Sequence, residues 1–541
     1  MNFTVTSRGR QFDRLATMYL GDTEVWRTST AEPTQSGIEW SYTKDMSEYL
    51  YFWKEPQKII FDLGNLIDNT YTGLFNTTLV ATFFVGPDVV DPAPLIIPIS
   101  ARKSASDSPS AFLLPAHTAR NTIGFPRNAN RAVFSVSACG QATEEFWWSN
   151  VLQSNVDTFL PANGVLYGSS PWREVQIYID DRLAGVYWPF PIIFTGGIVP
   201  GLWRPIVGID TFDLREHEID ITPWLPVLSD GKQHTFEIKV AGINDDGGTN
   251  GSVTETVGYF WHVTGKIFLW LDGPSSVTTG SIPTLTLPPP SIVLSQSHTQ
   301  NAAGVNQTLT YKTSVTRSLS ISSIVKTQKG LSPVSWTQSL SYTNLGIYTN
   351  QGYTQWNSLI TTGIDTSTGL SPYNTQYKYP LTANTTLWVE PSTGSNFSLT
   401  ATIDRGLSIE VTGKSVFPES YPFLSTSPPG NISGSYLYTA QNGSAYYFAS
   451  PSTNTVLGFG NTQQDFSFGG INAADNGVEE YSRSVESLNS TIIYDRERLG
   501  GIYQDSVRSS GGGPTGGVVR TPRMAIGRGP GEAKTLPGDS V

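Results

Sequence analysis

The sequence predicts an all-β protein: two jelly-roll β-sandwiches followed by a further β-rich domain. Three observations lead there. Short runs of alternating apolar and polar residues recur along the chain, Arg131 to Ala138 being one of the clearest. Turn residues punctuate these runs, in a chain of 541 residues with 52 Gly, 35 Pro and only 15% charged residues. Helical periodicity is nearly absent.

In chain order, residues 1–97 read as a first jelly roll of short strands, including Ile59-Ile60-Phe61 and Leu79 to Phe84, the latter closed by Gly86-Pro87. Met1 falls inside a strand, so this sandwich is expected to lack earlier strands at its start. Residues 98–127 are rich in Pro and Ser and read as a connection. A second jelly roll is expected over 128–272. Its strands are Arg131 to Ala138, Val175 to Ile179 turning at Asp180-Asp181 into Leu183 to Trp188, Glu218 to Ile221, Thr235 to Val240, and Phe260 to Leu271. Residues 273–300, with Pro288-Pro289-Pro290, read as a Pro/Ser/Thr linker. Residues 301–495 return to β patterning, with a hairpin expected at Asn442-Gly443. The Gly-rich, basic stretch 496–541 is expected to be a disordered tail.

A net charge of −11 without a basic face argues against nucleic acid as a partner. No apolar run reaches the ~20 residues of a membrane helix, because the longest candidate, Trp188 to Trp203, is broken by prolines. The first residues, Met1 to Thr6, alternate like a strand and are not expected to act as a signal peptide. Nine Asn-x-Ser/Thr sequons, at Asn2, Asn76, Asn250, Asn306, Asn384, Asn396, Asn431, Asn442 and Asn489, nonetheless favour a secreted glycoprotein. Cys139 is the single cysteine; it excludes an internal disulfide and reads as a small buried residue.

Phosphate loops, dinucleotide fingerprints and nucleophile elbows are missing. The five histidines never adopt metal-ligand spacing, so neither a metal nor a cofactor is expected. Chemistry must rest on carboxylates. One cluster is Asp13 with Asp22 and Glu24, flanked by Phe12, Arg14, Trp26 and Arg27; it fits either a catalytic group or a solvated strand face of ion pairs. The other is Glu144-Glu145-Phe146-Trp147-Trp148. Acids beside aromatics suit a sugar cleft, where flat faces meet pyranose rings and carboxylates meet hydroxyls.

At Arg8-Gly9-Arg10-Gln11-Phe12-Asp13-Arg14-Leu15, Leu20 to Thr34, Leu63-Gly64-Asn65, Tyr71-Thr72-Gly73, Glu145-Phe146-Trp147 and Tyr259 to Gly265, the chain resembles the peptide-N-glycosidase A family, the acid peptide N-glycanases. The resemblance implies hydrolysis of the amide that links an N-glycan to asparagine, with N-glycosylated peptides and proteins as partners, no cofactor, and a secreted enzyme; the oligomeric state stays open, with a monomer expected. A more distant similarity to bacterial peptide-N-glycosidase F enzymes, two jelly rolls with the site between them, implies roles. Phe12-Asp13-Arg14 matches an aromatic-Asp-Arg triplet, which makes Asp13 the acid/base and Arg14 its helper. Glu145-Phe146 matches a second acid that orients sugar or water. A third acid falls at Asp62, one position out of register. Trp203 corresponds to a cleft tryptophan, while Arg204 does not line up with the neighbouring arginine. Glu144, Trp147 and Trp148 are expected to bind sugar, and Glu24 and Arg27 to wall the cleft or pair with each other. Two other readings stay open: a non-catalytic glycan-binding protein, or an inactive truncated copy, on the same fold; and a glycoside hydrolase with paired carboxylates.

Overall fold

The computed structural model describes residues 1–83, 85, 91–391, 394–417, 432–453, 455–472, 477–499, 502–505, 525–526 and 528–536. The turn expected at Gly86-Pro87, the sequon at Asn431 and most of the stretch 496–541 lie outside them. Among the described residues strand makes up 57% and helix 7%, as the alternating pattern requires.

The first unit is a pair of facing sheets. β1 (Asn2–Arg8) lies between β4 (Ile38–Thr43) and β6 (Leu74–Val80), and the facing sheet orders β3 (Thr23–Ser29), β2 (Leu15–Leu20) and β5 (Ile59–Leu63). Alternation along β1 sends Phe3 and Val5 inward, where they meet Met18, Trp26, Trp40 and Tyr42. The strand expected to lack earlier neighbours has both hydrogen-bonding edges taken by later ones.

The second unit stacks two more sheets. One orders β13 (His217–Asp220), β10 (Ala129–Gly140), β16 (Trp261–Leu271) and β7 (Leu95–Ile99), with β8 (Phe112–Leu114) also on β16. The other orders β12 (Arg182–Tyr187), β11 (Glu174–Ile179), β14 (Gln233–Asp245) and β15 (Gly251–Thr254), with β9 (Ala119–Gly124) on β14. Phe134, Ile177, Phe236 and Ile267 fill the space between them. Residues 98–127 are therefore no mere connection: they supply β8, β9 and the end of β7. Pro and Ser there fall in the loops between these short strands, which is why composition concealed them.

The rest is one sheet in which β20 (Asn306–Thr327), β21 (Gly330–Thr349), β22 (Thr354–Thr368), β23 (Tyr373–Val389), β24 (Phe397–Gly413), β25 (Ile432–Ser450), β26 (Thr455–Asn472), β27 (Gly477–Leu488), β28 (Thr491–Leu499) and β29 (Ile502–Asp505) run antiparallel in sequence order. The expected linker 273–300 also belongs to it, as β17 (Thr279–Gly280), β18 (Thr284–Thr286) and β19 (Ser291–Gln300) all pair with β20. The inner face carries Tyr311, Val315, Leu319, Trp336 and Tyr342 onto the second unit at Trp172 and Trp188. No turn falls at Asn442-Gly443, which lie inside β25; the strand passes straight through because Ala401 to Gly406 on one side and Asn461 to Gln464 on the other pair with it. Within the stretch 496–541, β30 (Ala525–Ile526) and β31 (Lys534–Thr535) join β4 of the first sheet.

All seven residues of β3 are buried, because its other face meets β16 across a charged seam. Glu24 and Arg27 form a two-pronged ion pair at 2.7 and 2.8 Å. The Arg27 guanidinium also donates to the His262 carbonyl at 2.9 Å and to Cys139 Sγ at 3.4 Å. Thr264 Oγ1 and Lys266 Nζ donate to the Glu24 side chain and carbonyl, each at 2.8 Å. Lys266 and the Tyr49 hydroxyl share Glu216, at 2.5 and 2.6 Å. A buried charge left without its partner keeps its desolvation cost, so Arg27→Met should lower the unfolding free energy by about 3–5 kcal/mol. Urea denaturation checks this; a loss under about 1 kcal/mol would mean that the seam is solvated like a surface pair.

Candidate active site

The hairpin of β2 and β3 pairs Leu15 with Ser29, so the residues flanking it emerge at one end. Asp13 precedes β2 and Glu32 follows β3. The backbone is closed there by Thr30 N–H donating to the Arg14 carbonyl, and by Arg14 N–H donating to Thr30 Oγ1, both at 2.8 Å. From the second unit, a single turn at Ala142–Glu144 follows β10 and presents Glu145. The loop Thr195-Gly196-Gly197 lies between these two sources, tied to the hairpin by Thr195 Oγ1 donating to the Thr30 carbonyl at 2.6 Å.

Gly196 marks the meeting point. A Cβ there would lie 2.2 Å from Asp13 Oδ1 and 2.5 Å from Glu32 Oε1, which only glycine avoids. The two carboxylate oxygens are thus within about 5 Å of each other, the range in which like charges shift each other's pKa. A Cβ on Gly197 would in turn meet the ring of Phe146, next to Glu145. Behind Glu145 is a cavity of about 20 Å³, lined by Cys139, Trp147, Tyr187, Arg215 and Trp261, with room for one water.

Burial raises all three carboxyls. For Asp13 it outweighs the Arg14 charge and the Gly196 N–H, which favour ionisation. Burial raises Glu32 to about 7, opposed by Arg204 at 2.8 Å and reinforced by Asp13. Burial and then the Asp13 charge raise Glu145 to about 7. Three acids that repel one another in a dehydrated site share fewer than three negative charges near neutrality.

Of the residues singled out in the sequence, the structure thus brings together Asp13, Arg14 and Glu145. Others are placed differently. Asp62 pairs with Thr17, four residues along from Asp13, so it sits on the order of 13 Å away along the hairpin and beside Tyr19. Glu144 is buried and fully engaged, by Arg173 at 2.6 and 2.8 Å, by the Trp261 indole at 2.8 Å and by Gly258 N–H at 2.8 Å. Trp147 and Trp148 are buried in the core of the second unit rather than facing a cleft. Trp203 is buried too, where its indole donates to the Gly197 carbonyl at 2.7 Å and so holds the glycine loop from below. Glu24 and Arg27 are consumed by the seam. Glu32 and Arg204 are a pair to which no role was assigned from sequence: Arg204 was set aside because it does not line up with the expected arginine, and Glu32 was visible as the last acid of the matching stretch that ends at Thr34. Exposed aromatics near the acids are Phe12, packed on Tyr71 at 5.2 Å, and Tyr259, whose carbonyl anchors the Glu144 turn. A larger concavity, about 350 Å³, lies elsewhere, on the outer face of β21–β24 between Ser339 and Glu410.

A family model described as peptide N-acetyl-beta-D-glucosaminyl asparaginase amidase A matches residues 1–287, more than half of the chain. The chain belongs to this amidase A family. A second model, for the C-terminal domain of the same family, matches residues 310–381. The peptide-N4-(N-acetyl-beta-glucosaminyl)asparagine amidase A of Prunus dulcis is 33% identical over 373 residues, covering 66% of this chain and 61% of that one. The chain therefore spans about three-fifths of the length of this curated relative. A solved structure of PNGF-II is similar at a TM-score of 0.30 with 10% identity, over 50% of this chain and 57% of that one, which is too remote to carry an argument. The Ala31-Glu32-Pro33 and Thr195-Gly196-Gly197 segments of this amidase A family member both fall within the matched 1–287.

The raised carboxyls set a pH dependence of stability. Between pH 4.5 and about 7 the folded chain retains a proton on Glu145 that the unfolded chain has released, so stability falls as pH rises through that window. Glu145→Gln should accordingly raise Tm by about 1–3 °C at pH 8 and leave it unchanged at pH 4. Calorimetry at the two pH values measures it, and an equal shift at both would contradict the assignment.

Proposed function

We propose that this chain hydrolyses the amide linking an N-glycan to asparagine in glycopeptides and glycoproteins, leaving aspartate in the peptide and releasing the glycan as a glycosylamine. The observation that carries this reading is the meeting of Asp13, Glu32 and Glu145 at one dehydrated junction of two sandwiches, in a member of the amidase A family.

Ionised Asp13 takes a proton from a water as the water oxygen bonds to the amide carbon. The carbon–nitrogen bond then breaks, and its nitrogen takes the proton that burial and Asp13 keep on Glu145. Asp13 ends protonated and Glu145 ionised, and exchange with solvent resets both. Arg14 favours the ionised form of Asp13. The Glu32–Arg204 pair holds a guanidinium at the site mouth, placed to oppose charge developing on the amide oxygen. Phe12, Tyr71 and Tyr259 offer flat faces to the sugars nearest the asparagine. A secreted setting belongs to the same reading, supported by exposed sequon asparagines at 76, 250, 384, 442 and 489.

Incubation with a glycopeptide, followed by the mass of the peptide, tests the reading. Conversion of glycosylated asparagine to aspartate is expected, and its complete absence would sink the proposal. Asp13→Asn should lower turnover by ~100-fold or more with unchanged circular dichroism. For the parent chain, kcat/KM should fall as pH rises through about 7, where Glu145 loses its proton.

A further inference from the structure

The Glu32–Arg204 pair joins two loops, and both loops are gripped by the same nine residues near the end of the chain. Residues 528–536 run as an extended segment across three bodies. On the first sheet, Lys534 and Thr535 pair with Glu39 and Ile38, and Leu536 N–H donates to the Gly37 carbonyl at 2.8 Å. That is the stretch just past Glu32. On the site loop, Val207 N–H donates to the Gly531 carbonyl at 3.1 Å, and Ala533 N–H donates to the Pro205 carbonyl at 2.8 Å. That is the stretch just past Arg204. On the large sheet, Arg483 donates to the Pro530 carbonyl at 3.0 Å and meets Glu532 at 3.2 Å, while Asp495 holds the same guanidinium at 3.0 Å.

The site loop is also braced from the large sheet. Arg405 donates to the Pro191 carbonyl at 2.8 Å, Gln441 to the Val207 carbonyl at 3.0 Å, and Thr462 to the Leu202 carbonyl. These contacts support the loop from the large sheet, while the segment 528–536 adds a further tie to the unit that carries Glu32, beside the hydrogen bonds of Thr195 to Thr30 and of Ser29 to Thr211. Gly531 is the tightest point, since a Cβ there would lie 2.5 Å from Phe212 and 2.8 Å from Val207.

The geometry points to residues 528–536 as a positioning strap for the proposed amidase site: by pairing with 205–207 and with 37–39 at once, the strap sets the separation of Arg204 from Glu32. The strap's bearing on activity rests on the reading above, but its effect on the pair is measurable without turnover. Glu32 faces Arg204 and Asp13, and Asp13 in turn faces Glu145, so Glu32 reports Arg204 withdrawal as a rise in its pKa.

The test uses carbon-13 titration of the Glu32 carboxyl in the full chain, in Gly531→Ala, in Arg204→Gln and in the double variant. Gly531→Ala should raise the Glu32 pKa in the direction that Arg204→Gln does, and the double variant should match Arg204→Gln alone. An unchanged Glu32 pKa in folded Gly531→Ala overturns the inference, as do shifts that simply add. Should Gly531→Ala not fold, Glu532→Ala reads the same way, because it removes the side-chain half of the strap's hold on Arg483, leaving the Pro530 hydrogen bond, without inserting atoms. In the glycopeptide assay Gly531→Ala should lower kcat by about tenfold with KM within twofold. An inactive parent chain would refute the amidase reading, while the titration would still decide the strap.

Discussion

The charged seam between β3 and β16 is the constraint on which the rest depends. Glu24, Arg27, Lys266 and Glu216 are buried where each would be costly alone, and they are tolerated because every charge has its partner within hydrogen-bond distance. Such a layer permits one registry between the two units, since a slip by one residue would strand several charges at once. The same elements carry the acids. Arg27 reaches Cys139 near the end of β10, six residues before Glu145, and β3 ends three residues before Glu32. The seam therefore fixes the site from directly beneath it.

Dehydration gives that site its character. Asp13 and Glu32 approach each other only because Gly196 leaves room, and the aliphatic and aromatic walls around Glu145 remove the water that would otherwise stabilise a third charge. In the proposed reaction, environment rather than residue type separates base from acid: Asp13 has a neighbouring Arg14 and a backbone N–H, Glu32 has Arg204, and Glu145 has neither. The large sheet and the strap contribute by holding the loop that bears Gly196 and Arg204, which gives residues far along the chain a stake in the geometry of the first 150.

Strand content, the two stacked units and the pairing of Asp13 with Glu145 were legible in the sequence, because alternation is a local signal and the matching motifs are long. What failed was whatever depends on partners distant in sequence. Trp147, Trp148 and Trp203 stand beside acids and glycines in the chain, but which side of a loop faces solvent is decided by the sheets stacked on it. Glu144 and Glu145 are neighbours of identical chemistry, and only Arg173 and Trp261 assign the first to structure and leave the second to the site. Residues 273–300 have the composition of a linker because edge strands tolerate Pro, Ser and Thr; their pairing with β20 has no local signature. Glu32 was read as part of a matching stretch without a role, since nothing in its neighbours announces Gly196 or Arg204.

In the proposed reaction, substrate binds at the junction of the two units, against Asp13. A crystal structure of Asp13→Asn with a bound glycopeptide measures this directly. The amide carbon of the glycosylated asparagine should lie about 3–3.5 Å from the site of water attack beside Asn at position 13, with the leaving nitrogen turned toward Glu145. A glycopeptide seated instead in the concavity of β21–β24, with the three acids unapproached, would contradict it.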